Sequence, residues 1–185
     1  MSMKRWLIII ILCGLLTACT GQAPSVALST QLYRDPSGIY ALPYPDGWSY
    51  SVDVDSNTVT FRPAGVSPEQ DALFVKVFAA PTIHFSGDEA SQDTNTLLED
   101  FLSDTFGDSA YEIYSSEETK VGRQPALILD IAEPLEDGYM SGRIVLVYMR
   151  GYAVGIAGSG SKEAWDAFLP TFKKMISEVK FFPEQ

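Results

Sequence analysis

The sequence predicts an α+β domain built on one antiparallel sheet of about six to eight strands, run as a meander, with helices on both of its faces. Three observations carry this expectation. Short stretches of strand character, several alternating apolar with polar side chains, follow one another from residue 37 to 157 with tight turns between them. Several of these stretches are apolar on both sides, so the sheet needs cover on two faces. Two further stretches, 93–106 and 165–176, switch to helical spacing.

In chain order, residues 37–43 read as a short strand, and Tyr44-Pro45-Asp46-Gly47 as a turn signalled by its Asp-Gly pair. Residues 48–54 alternate aromatic or aliphatic with polar side chains, as a half-buried strand does. Asp55-Ser56-Asn57 turns the chain into a strand at 58–62. Residues 72–80 form a strand apolar on both sides, with Leu73, Val75 and Val77 on one and Phe74 and Phe78 on the other. Leu97, Leu98, Phe101, Leu102 and Phe106 then share one helical face, and Gly107 stops it. Strands follow at 111–121, 124–132, 141–149 and 152–157, the second and third joined through Leu135-Glu136-Asp137-Gly138. Trp165, Phe168, Leu169, Phe172 and Ile176 mark a final amphipathic helix that Pro170 is expected to bend or divide. Residues 179–182 read as a short closing strand.

The chain has 185 residues, 24 acidic and 13 basic, for a formal net charge of −11. That length suits one domain with a core of its own. The acidic balance argues against nucleic acid as a partner, because affinity for phosphates comes from clustered Lys and Arg. Residues 1–18 read as a secretory leader. Lys4 and Arg5 precede an uncharged apolar run of 11 residues, Trp6 to Leu16. A membrane-spanning helix needs about 20.

Leu16-Thr17-Ala18-Cys19 resembles the bacterial lipobox. The resemblance implies that Cys19 is acylated on sulfur and becomes the first residue of the mature chain. Stable anchoring takes more than one acyl chain, which a diacylglycerol on sulfur plus an amide-linked chain would provide. Processing would shorten the chain to 167 residues and, with Lys4 and Arg5 gone, take the formal charge to −13. It would also remove Cys13 and cap Cys19, leaving no thiol for a nucleophile, a redox pair or a zinc site. Residues 19–30 read as a tether, whose 11 residues after Cys19 reach about 18 Å r.m.s.. Residues 31–185 read as a single domain.

Gly38-Ile39-Tyr40-Ala41-Leu42-Pro43-Tyr44-Pro45-Asp46-Gly47-Trp48 resembles the opening of PsbP-like and Mog1-like domains: a short strand, then Pro, a turn Gly and Trp. The closing helix with Phe168, Phe172 and Ile176, followed by Val179-Lys180-Phe181-Phe182, is similar to their end. The resemblance spans about residues 31–183. It implies an α/β/α sandwich on an antiparallel sheet and a non-enzymatic accessory or binding role, and it transfers no functional residue. The lipobox sets this chain apart from the plant and nuclear members.

No catalytic, metal or cofactor signature stands out. His84 is the sole histidine, in a stretch that reads as a loop with Ser86, and reads as a surface or capping residue. Ser109 is likewise a loop serine, and no Gly-x-Ser-x-Gly elbow appears. Gly155 to Lys162 stands between a strand and a helix as a phosphate loop does. It lacks the Gly-Lys-Ser/Thr order and reads as a flexible turn with Ser161 as the helix N-cap. Asp130 interrupts an apolar strand. A hairpin closing near Glu136-Asp137 predicts Arg143 beside it across the strands. Between Lys76 and Lys120 the chain carries ten acids and no base, which reads as a solvated acidic face, or else as a surface for a basic partner or loosely held Ca²⁺. The aromatics of the 44–50 turn either anchor a protein or sugar ligand or, for Trp48, join the core.

Together these readings describe a membrane-tethered envelope lipoprotein acting as a non-enzymatic binding or accessory module. It would sit outside the cytoplasm, at the outer membrane in a diderm and the cytoplasmic membrane in a monoderm. Its expected partners are the membrane, through the lipid on Cys19, and a protein of unspecified identity. Two alternatives stand beside it: an envelope hydrolase pairing Asp130 with Glu117 or Glu118, and a purely structural envelope component.

Overall fold

The computed structural model describes residues 27–66, 73–81, 111–135, 138–149 and 151–182. Ten strands and one helix lie among them: β1 (Leu28–Arg34), β2 (Tyr40–Pro45), β3 (Trp48–Asp53), β4 (Thr58–Pro63), β5 (Phe74–Pro81), β6 (Glu112–Val121), β7 (Gln124–Leu135), β8 (Gly138–Met149), β9 (Tyr152–Ser161), α1 (Lys162–Glu178) and β10 (Lys180–Phe181). Period-2 patterning places most of the strands where the sequence does. Asp46-Gly47 forms the expected turn, with Gly47 at φ +76°, a left-handed conformation that costs glycine nothing.

All strand pairs are antiparallel, but they form two sheets rather than one meander. The large sheet runs β3-β4-β5-β9-β8-β7-β6, and a small one runs β1-β2-β10. β5 pairs with β9 instead of with the next strand in sequence. The chain leaves β5 in the middle of the sheet and re-enters at β6 on its far edge, four strand spacings or about 19 Å away. Residues 82–110 are ample for that crossing, and so long a connection frees β6 from pairing with β5.

One face of the large sheet carries both α1 and the small sheet. Val59, Phe61, Val75, Val77, Val145, Val147, Val154 and Ile156 from the sheet meet Trp165, Phe168, Phe172, Met175 and Ile176 from α1, together with Tyr33, Tyr40 and Leu42 from the small sheet. Tyr33 packs edge-on to Phe61, with ring centroids 5.5 Å apart. Burial raises the pKa of the Tyr33 and Tyr40 phenols above the ordinary 10.0. The opposite face has its own cluster of Leu129, Ile131, Ile144, Leu146 and Ala157.

The described residues contain a single helix, on the first face, so they do not support a sandwich with helices on both faces. The helix expected at 93–106 lies outside the described residues. So do the leader with Cys19, residues 20–26, His84, Ser86, Ser109, the acids from Asp88 to Asp108, and Glu136-Asp137.

Two further expectations change. Residues 155–161 are not a turn. They complete β9, a strand buried along nearly its whole length. Glycine is required there because α1 lies directly on it: a Cβ on Gly158 would sit 2.7 Å from the Trp165 ring and 2.8 Å from that of Phe172. Nor does Pro170 divide the final helix, which runs unbroken for 17 residues. Phe168, Thr171 and Phe172, on either side of the proline, are buried, and that packing outweighs the lost backbone hydrogen bond. Ser161 caps α1 as expected, its side-chain oxygen accepting from the Ala164 N–H at 3.4 Å.

Candidate functional site

α1 packs on β9 and β8, so β7 and β6 extend past it. The step between helix and sheet leaves a groove of about 430 Å³. Ile128 on β7 and Val145 on β8 supply its sheet side, and Phe172 and Ile176, one helical turn apart, its helix side. Thr119, Lys120, Val121 and Gly122 from the end of the β6–β7 hairpin line one side, and Lys173 and Ser177 the other. The hairpin closes in two residues, Gly122-Arg123, with Val121 paired to Gln124 and Gly122 at φ +62°.

Arg143 also lines the groove, and its charge is already committed. Its Nε donates to Asp130 Oδ1 at 2.6 Å and its Nη2 to Oδ2 at 2.9 Å. Asp130 and Arg143 are direct partners in the β7–β8 register, side by side as the sequence predicts. Both side chains are 18% exposed. The Asp130 hydrogen bond holds the guanidinium above its ordinary pKa against the opposing effect of burial.

The carboxylates proposed as partners for Asp130 separate by register. Glu118 sits opposite Leu127 and Glu117 opposite Ile128. Side chains alternate along β7, so Glu117 shares the face of Asp130 and Glu118 points to the other. Both oxygens of Asp130 are occupied by Arg143. Glu112, Glu117 and Glu118, the described members of the acidic run, are exposed on edge strand β6, where charge discourages pairing with another sheet. Among the described residues no three His, Cys, Asp or Glu side chains gather to hold a metal ion.

Trp48 packs against the core, stacked on Phe168 with centroids 4.9 Å apart and planes 15° from parallel. Tyr50 stays half exposed beside a smaller hollow of about 170 Å³ lined by Ser49, Tyr50, Ser51, Thr60, Arg62 and Val66. The groove residues Lys120, Lys173 and Ser177 carry no motif. The one local signal is Lys120, the base that ends the long acidic stretch, two residues before the Gly122-Arg123 turn.

No protein-family model matches the chain, and no curated protein does. Solved structures do. PsbP of the cyanobacterium Synechocystis sp. PCC 6803 (CyanoP) aligns with a TM-score of 0.64 at 18% identity, over 90% of this chain and 99% of that one. LpqN of Mycobacterium tuberculosis, described as involved in cell envelope biogenesis, gives 0.62 at 8% identity, over 84% and 92%. A protein of unknown function from Pseudomonas aeruginosa gives 0.53 at 13%, over 83% and 98%. At these identities the likeness establishes the fold, and the fold is PsbP-like.

Proposed function

We propose that this chain is a lipid-anchored accessory module of the bacterial cell envelope, which binds its ligand or partner at the groove beside α1. The observation that carries the anchor is Leu16-Thr17-Ala18-Cys19 at the end of an 11-residue apolar run behind Lys4 and Arg5. Its position relative to the fold supports the reading. Ala27, eight residues after Cys19, is the first described residue, and it is held by the domain, its carbonyl accepting from Asp46 N–H at 3.0 Å. A PsbP-like fold shared with a protein of cell envelope biogenesis supports the compartment. The groove supports a binding role, because its volume of about 430 Å³ and its apolar interior suit a small-molecule site.

Whole-protein mass spectrometry after expression in a bacterium tests the anchor. The expected product lacks residues 1–18, carries acyl chains on residue 19 and sediments with membranes. Cys19→Ser is expected to keep the leader and gain no lipid. An unlipidated native chain with the leader still attached overturns the proposal.

A further inference from the structure

Among the described residues, four strands end the two sheets: β3 and β6 the large one, β1 and β10 the small one. An open strand edge is a template for pairing with another chain unless charge, proline, irregularity or brevity blunts it. Three of the four are blunted. β6 carries Glu112, Glu117, Glu118 and Lys120, and its register is irregular between Ile113 and Ser115. The register of β1 breaks between Leu28 and Leu32, and β10 is two residues long. β3 has none of these devices. Trp48 to Val52 hold no charge and no proline, and they pair with β4 in unbroken register. Ser49, Tyr50, Ser51 and Val52 are all exposed.

One bond fixes which backbone groups of β3 are free. Ala64 N–H donates to the Gly47 carbonyl at 2.9 Å, so these two residues form a hydrogen-bonded pair that extends the β3–β4 ladder. Such pairs alternate along an antiparallel ladder. Ser49, Ser51 and Asp53 therefore bond β4, and Trp48, Tyr50 and Val52 point their N–H and C=O groups outward. No hydrogen bond crosses this edge among the described residues. Ser49 and its register partner Arg62 share the sheet face with Ser51 and Asp53. The Arg62 guanidinium lies 5.9 Å from the centre of the Phe74 ring and meets no acid within ion-pair distance among the described residues.

Charge decides what fits this edge. A second copy paired Tyr50 to Tyr50 would bring Asp46 of one copy near Asp53 and Asp55 of the other, between chains of net charge −11. We infer that β3 takes up an extended segment of another protein as an added antiparallel strand, with a base opposite Asp53 and, four residues on, an acid opposite Ser49. That acid would stand two strand spacings, about 10 Å, from Arg62, and the short side chain of Ser49 lets the two meet above it. Main-chain bonds at Trp48, Tyr50 and Val52 would hold the segment, and the base-x-x-x-acid spacing would select it. The inference depends neither on the groove beside α1 nor on the anchor at Cys19.

The test is a titration of the full chain, carrying Cys19→Ser, with the blocked peptide acetyl-Thr-Lys-Val-Thr-Val-Glu-Val-amide, followed by backbone amide NMR. In the inferred register its lysine falls opposite Asp53 and its glutamate opposite Ser49. Saturable shifts are expected along Trp48 to Asp53, with slowed amide exchange at Trp48, Tyr50 and Val52. Exchanging the lysine and glutamate of the peptide is expected to weaken binding about tenfold or more, and Arg62→Gln to do the same for the original peptide. N-methylation of the first two valines, whose N–H groups face Val52 and Tyr50, is expected to abolish binding. N-methylation of the second threonine, whose N–H faces away, is expected to leave it intact. No saturation up to about 5 mM peptide would overturn the inference. So would equal binding of the charge-exchanged or the doubly methylated peptide, an unchanged affinity in Arg62→Gln, or shifts confined to other residues. A peptide-free chain that sediments as a dimer, with the Tyr50 and Val52 amides already protected, would give the edge to a second copy and overturn it as well.

Discussion

Asp130 offers two oxygens, and Arg143 takes both. A planar guanidinium fits a carboxylate in this way with two parallel hydrogen bonds, which fixes both side chains more firmly than a single contact. The pair is mostly shielded from water, so removing one partner leaves the other desolvated without compensation. Asp130→Asn is expected to lower unfolding free energy by about 1–3 kcal/mol, read from the urea midpoint. Replacing both residues, Asp130→Leu with Arg143→Met, is expected to recover most of that loss, because no orphaned charge remains. A wild-type midpoint for Asp130→Asn would show that the pair is not structural. This contact was legible in the sequence because antiparallel register is arithmetic: once the hairpin closes between Leu135 and Gly138, residue 130 must face residue 143. The groove lysines had no such signal. Lys120 and Lys173 are far apart in the chain, and only the packing of α1 against the sheet makes them flank one cavity.

β9 shows where pattern reading stops at the level of the element. Gly-Ser runs ordinarily break strands, so residues 155–161 look like a turn. The strand instead lies between β5 and β8, and its Gly158 leaves room for the helix. Gly158→Ala places a methyl carbon within 2.8 Å of two aromatic rings, so α1 or the rings must shift. A loss of about 1–3 kcal/mol is expected, read as a lower melting temperature. An unchanged melting temperature would mean that α1 stands off the sheet. The period-2 strands and the 3.6-period helix were readable because each buries one face of its own. Sheet order was not, because the choice of β9 over β6 as neighbour for β5 depends on a connection whose length permits either. β1 was also hidden: Ser29, Thr30 and Gln31 break the apolar pattern between Leu28 and Leu32, so the stretch resembles a linker.

β1 decides where the domain of the whole molecule starts, and therefore how close it is held to a membrane. If Cys19 is lipidated, seven residues, 20–26, separate it from the first described residue, and a chain of seven residues spans at most about 25 Å. β1 is part of the fold. Tyr33 is 7% exposed, packs on Tyr50 and Phe61 with centroids 5.1 and 5.5 Å away, and belongs to the core. Asp35, just after β1, accepts from the Ile39 N–H at 3.1 Å and fixes the turn into β2. A chain beginning at Ala27 is expected to melt at the temperature of the full protein. One beginning at Pro36 loses the ring of Tyr33 and the pairing of β1 along β2, and is expected to be less stable by about 3–5 kcal/mol, the range for removing a buried aromatic side chain. Equal melting of the two would return β1 to the linker and lengthen the reach from the lipid.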